Sequence, residues 1–180
     1  MTRVILTYAD YTALPDDGRR YELHEGELSV TPAPGTRHQR VKANLFVMLF
    51  HHVRSRGLGD LLDAPTDCIL SDTTVVQPDI LFVEAAHASR VSERAIEGAP
   101  TLAIEILSPS TEHIDRRRKL HLYARHGVAY YWIVDPVART INANALEDGT
   151  YKMSARLAGE RPGALPPFDD LALDPATIWA

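Results

Sequence analysis

The chain has 180 residues, of which 45% are apolar and 24% charged; this composition excludes general disorder and suits a single globular domain over 1–180 with a core of its own. A formal charge of −5 excludes a passive, wholly electrostatic nucleic-acid binder, which would be basic throughout, but leaves room for a local basic groove. One cysteine, Cys68, provides neither an internal disulfide nor a thiolate zinc centre. No apolar run approaches the roughly 20 residues of a membrane span, and MTRVILTYADY lacks a signal-peptide profile, so a reducing, cytoplasmic setting is expected.

In chain order, Thr7 is placed to cap a short helix over YADYTAL, with Asp10 returning the contact and Leu14-Pro15 closing it. Asp16-Asp17-Gly18 is a turn, and RRYELHEGELSVT reads as a β-hairpin with Gly26 supplying positive φ. After the PAPG loop, the spacing of Val41, Leu45, Met48, Leu49 and Val53 predicts a helix from Arg37 to Arg56, ended by Gly57 in a left-handed cap. Arg37, Arg40, Lys42, Arg54 and Arg56 make its outer face basic.

DLLDA and TDCILSD are short strand candidates, and Pro78 opens a strand DILFVE, a position proline tolerates. The alanine-rich AAHASRVSERAIEGAP reads as a loop with a helical turn. TLAIEIL, nearly continuous in apolar residues, predicts a central strand covered on both faces. Along it Glu105 shares a face with Ala103 and Leu107, while Ile104 and Ile106 point the other way. Ser110 or Thr111 is expected to cap a helix from Glu112 to His126, stopped by Gly127. VAYYWIVDP follows as a strand, completing the pattern of a right-handed parallel crossover. RTINANAL and YKMSARL form a terminal hairpin, and GERPGALPP reads as an irregular link to a short closing segment, LALDPATIW. The order predicts an α/β sheet of mixed direction with the long helices on its faces.

Two carboxylates stand in this apolar frame, Asp79 at the start of one strand and Glu105 inside another, and Lys119 follows on a helix. On that helix Arg116, Lys119, Leu120 and Tyr123 share one face, which turns Lys119 toward the sheet. Carboxylates buried on strands cost free energy unless paired or bound to a cation. The three are therefore either an ion-pair network or a site for a hard divalent ion, Mg2+ or Mn2+, which needs few protein groups. Ser108 and Ser110 lie in a strand-to-helix turn, with no G-x-S-x-G elbow to make either a nucleophile. Neither His51-His52 nor His121 and His126 have metal-ligand spacing. Tyr123 and Trp132 read as core aromatics.

The ordered set YELHEGEL, His38 on a helix after the proline loop, QPDILFV, LAIEILSPST, D-R-R-R-K with Tyr123, and YYWIVDP resembles the Uma-two family of restriction endonucleases, within the PD-(D/E)XK nuclease superfamily, over about Tyr8 to Leu157. The resemblance implies a restriction-endonuclease-like fold, a mixed β-sheet flanked by α-helices with an N-terminal β-hairpin. It implies metal-dependent cleavage of DNA phosphodiester bonds, with Asp79 and Glu105 as metal ligands, Mg2+ or Mn2+ as cofactor, and a homodimer to cut two strands. The superfamily's lysine lies two residues after the second acid, where this chain has Leu107; the family pattern places it on the following helix, and Lys119 matches. Glu22 is an additional acid near the metal or a half-exposed hairpin carboxylate. His38 is a phosphate or water contact, or else a capping or surface residue, and Gln77 is within reach of the groove or simply a polar residue at a strand end. Arg116 and Arg37 are candidates for contact with the nucleic-acid backbone. Two other functions compete: a nuclease-like domain that binds nucleic acid or a protein partner without cutting, and a hydrolase of another phosphate.

Overall fold

The structure, a computed structural model, describes residues 4–108 and 114–180, with 114–116 described by their backbone alone. It contains helix α1 (Tyr8–Thr12), strands β1 (Arg20–His24) and β2 (Glu27–Thr31), helix α2 (Thr36–Arg56), and strands β3 (Gly59–Asp63), β4 (Cys68–Ser71), β5 (Thr74–Val76) and β6 (Ile80–Glu84). A 3-10 segment (Ala85–Arg90), β7 (Ile96–Glu97) and β8 (Leu102–Ile106) follow. A π-helical segment (Ile114–Lys119) then runs directly into α3 (Leu120–Arg125). The chain ends with β9 (Tyr130–Asp135), β10 (Thr140–Glu147), β11 (Thr150–Ala158), β12 (Gly163–Leu165), β13 (Phe168–Leu173) and α4 (Pro175–Ile178). Among the described residues no helix is long and apolar enough to cross a membrane.

The central sheet has six strands in the order β11-β10-β9-β8-β6-β3. Among the described residues of this sheet only β8 and β9 pair in parallel, so the sheet is of mixed direction. Alternation along β8 sends its residues to two cores. Ile104 and Ile106 pack with Val41, Leu45, Leu49 and Val53 of α2, whereas Ala103 and Leu107 pack with Leu122 and Tyr123 of α3. The buried stripe of α2, with positions 38, 41, 45, 49, 52 and 53, holds the helix on the sheet. It starts beside the site and ends at Gly57, whose φ of 62° closes the helix as expected.

The structure adds pairings that the sequence reading lacked. The N-terminal hairpin does not join the main sheet; it belongs to a second, five-stranded sheet, β2-β1-β5-β4-β7. The short strand β5 makes that arrangement, pairing β1 through Leu23 and Val75. Gln77 and Pro78 then carry the chain from the second sheet into β6 of the first, since proline cannot continue a ladder. GERPGALPP is also not an irregular link. Its β12 pairs with β13 in a small third sheet, and Leu165, Phe168, Leu173 and Ile178 complete the core under α2. The expected Ser110 or Thr111 cap lies outside the described residues.

Candidate active site

The register of the two central strands fixes the site. β6 and β8 run antiparallel with Ile80 opposite Ile104 and Leu81 opposite Ala103. Continued by one residue, that register sets Asp79 opposite Glu105. Residues opposite one another in a ladder share a face, and here it is the face covered by α3. Both carboxylates are buried, Asp79 at 4% and Glu105 at 3% exposure.

Asp79 is held from two sides. Its Oδ2 accepts from the Ile106 N–H at 2.8 Å and from Nε2 of His38 at 3.0 Å, while the Arg20 guanidinium lies 3.7 Å from Oδ1. His38 reaches it because the first turn of α2 sits over this end of the sheet. Glu105 Oε1 accepts from Nζ of Lys119 at 2.8 Å and from the Tyr123 hydroxyl at 2.7 Å. Lys119 also donates to Oε1 of Glu22 at 3.1 Å. Glu22 in turn accepts from the Gln77 N–H at 2.7 Å, and its other oxygen lies 3.1 Å from Nε2 of His24.

A cavity of about 70 Å³ is walled by Asp79, Glu105, Glu22, Lys119, His38, Arg20 and Ser108, with the β2 end, Pro32 and Pro34 also lining it. Since one water needs about 10–15 Å³ by this measure, several fit. Burial pushes the Glu22 carboxyl up, but Lys119, His24 and the Gln77 N–H outweigh it and hold the group below the ordinary carboxylate range. Asp79 follows the same pattern: burial raises it, and His38, the Ile106 N–H and Lys119 bring it below its ordinary value. The Tyr123 phenol goes the other way, raised by burial and then by the nearby Glu105 and Glu22 carboxylates, so it stays a hydrogen-bond donor.

The structure thus brings together Asp79, Glu105, Lys119, Glu22 and His38. Glu22 is 1% exposed, not the half-exposed hairpin residue considered above. Gln77 is buried behind the cavity: its amide donates to Asp67 at 2.8 Å and Tyr11 at 3.3 Å, and its carbonyl accepts from Arg20 at 2.7 Å. It supports the wall without facing the groove. Arg37 is exposed on the other side of the helical turn, lining a different cavity with Arg40 and Arg139. The Arg116 side chain lies outside the described residues. Three contributors escaped sequence reading. Tyr123 was read as core alone, although its hydroxyl serves Glu105. Arg20 and His24 gave no signal, because only the joining of two sheets at Gln77 places them here.

The donor set suits a hard divalent ion. Three buried carboxylates, Asp79, Glu105 and Glu22, face the buried cation Lys119 and the partly exposed Arg20, and a bound cation would offset the cost of burying three acids together. Nδ1 of His38 is buried without a hydrogen-bond partner among the described residues. Among those residues no three His, Cys, Asp or Glu side chains gather into a ligand cluster. Magnesium needs fewer, since it keeps several waters and binds through one or two carboxylates.

A mixed α/β fold with helices on a mixed sheet and an N-terminal strand pair is shared by a solved structure, described as "a putative nuclease belonging to DUF820 from Anabaena variabilis". The two chains superpose with a TM-score of 0.79 at 19% identity, over 97% of each. The chain belongs to the family Uma2, described as "Putative restriction endonuclease", whose model matches residues 8–176. Comparison with curated proteins finds no match.

Proposed function

We propose that this protein is a metal-dependent endonuclease that hydrolyses DNA phosphodiester bonds. The observation that carries the reading is the register that sets Asp79 against Glu105 at one end of the sheet, on the face where Lys119 is buried. Asp79 and Glu105 would hold Mg2+ or Mn2+. Such an ion, when bound, neutralises charge on a phosphoryl oxygen and makes water more acidic.

The remaining residues bind, orient and balance charge. The Ile106 N–H and His38 fix the Asp79 carboxylate, and Tyr123 fixes that of Glu105. Glu22 holds the Lys119 amine beside Glu105, where it orients water or faces the negative charge of the phosphate. Hydrolysis joins a water oxygen to phosphorus and breaks one ester P–O bond, the departing oxygen taking a proton. Lys119 does from the helix what the superfamily's strand lysine does from the position of Leu107. A homodimer, one active site per strand, is proposed from family analogy alone.

Supercoiled plasmid tests the reading. The wild-type protein should nick it in Mg2+ or Mn2+ and not in excess EDTA, and Asp79→Asn and Glu105→Gln should each lose about 10²-fold or more in rate while melting as folded proteins. Equal cleavage by the folded variants would reject the assignment. One observation favours a second reading, a domain that binds without cutting: Lys119 already pairs with both Glu22 and Glu105. Tight duplex binding with no turnover in any divalent metal would support it.

A further inference from the structure

We infer that Arg37, Arg40 and Arg139 form a second phosphate site, which grips the DNA backbone beyond the bond being cut. The inference rests on the nuclease reading above, and it concerns a cavity separate from the carboxylate one. The three arginines border an open cavity of about 400 Å³ together with Pro136, Val137 and Trp179. All three are exposed, and none makes a hydrogen bond or ion pair with a described residue. Some arginines are answered, Arg20 by Gln77 and Asp79, Arg56 by Asp170, Arg118 by Glu27 and Arg125 by Glu25; of those that are not, Arg37, Arg40 and Arg139 share one cavity. Three convergent, unanswered guanidiniums are unusual on a chain of charge −5. Arg37 and Arg40 are neighbours three residues apart on α2, whose first turn holds no acid to offset them, an arrangement that is unfavourable until an anion arrives.

Position says which anion. Arg37 and His38 are consecutive, and they line the two cavities on either side of one helical turn. Arg139 comes from the turn between β9 and β10, held in a left-handed conformation at φ 52°. β8, which carries Glu105, and β9 end side by side, with the Leu107 N–H donating to the Val134 carbonyl at 2.8 Å. Both cavities therefore open at the same end of the sheet, and a strand engaged at one can continue over the other. Guanidiniums match phosphate geometry with paired donors. Such contacts set the position of the duplex and do not read its sequence.

The test is duplex binding without divalent metal, so that no cleavage occurs. Anisotropy of a labelled duplex of about 20 base pairs, two helical turns, is measured over a salt series. The triple variant Arg37→Ala, Arg40→Ala, Arg139→Ala should bind more weakly, and its slope of log K against log salt should be shallower by about 2–3, near 0.9 per phosphate lost. Arg94→Ala, Arg156→Ala, Arg161→Ala removes the same charge from other exposed arginines and should keep the wild-type slope. An unchanged slope in the first triple, an equal loss in both, or a wild-type protein that binds no duplex would overturn the inference. Plasmid nicking is read separately: nicking with an unchanged slope rejects the arginine site alone, and a changed slope without nicking rejects the nuclease alone.

Discussion

Lys119 is 5% exposed and donates to both Glu22 and Glu105, so its removal strands two buried carboxylates. Lys119→Met should cost about 3–5 kcal/mol, as breaking a buried ion pair does, read as a lower urea midpoint; millimolar Mg2+ should recover part of the loss. A midpoint equal to wild type would mean that the cavity carries no charge imbalance. The carboxylates also set the acid limb of stability. Glu22 and Asp79 have folded-state values below their ordinary ones, so the folded chain releases their protons more readily than the unfolded chain. Their contribution is complete above the unfolded values of about 4, and it is lost as pH falls through the lower folded values. Glu22→Gln should therefore show a shallower fall in Tm on acidification than wild type, and an identical acid limb would remove Glu22 from that balance. At this scale the sequence was informative where a charge interrupted an apolar strand, as at Asp79 and Glu105. It was silent where a core aromatic has a second use, as at Tyr123, whose ring packs against Tyr131 while its hydroxyl serves Glu105.

Periodicity made α2, β6, β8, β9 and the β10–β11 hairpin legible, because each has a strong apolar pattern with a stop signal at its end. It failed for β5, three residues long, and for β12, which is rich in glycine and proline and short enough to read as a link. Missing β5 had a consequence for the site, since that strand draws the hairpin with Glu22 toward Gln77 and hence toward Asp79. The joint between α2 and β3 is equally local. Gly59 adopts φ 147°, and a Cβ there would lie 2.1 Å from the Val83 carbonyl oxygen. Gly59→Ala should cost about 2 kcal/mol or more, with amide exchange quickening first in β3 and the facing residues of β6. Unchanged stability would show that this edge pairing yields without strain.

Across the whole molecule, an acidic chain sets three unanswered arginines around a cavity at the same end of the sheet as its buried carboxylates. Two sheets meet at Gln77-Pro78, and the seam lets Asp79, just before β6, share one cavity with groups from β1, α2, β8 and the helix before α3. The fold class was legible because element order and the parallel crossover survive in pattern, whereas the seam depends on pairing between distant strands. The proposed activity requires a divalent ion held jointly by Asp79 and Glu105. A crystal soaked in manganese, with anomalous scattering to locate the ion, tests this most directly. One ion in contact with a carboxylate oxygen of each residue is the expected result; saturating manganese with no ion between them, or with the ion bound elsewhere, would overturn the shared metal site.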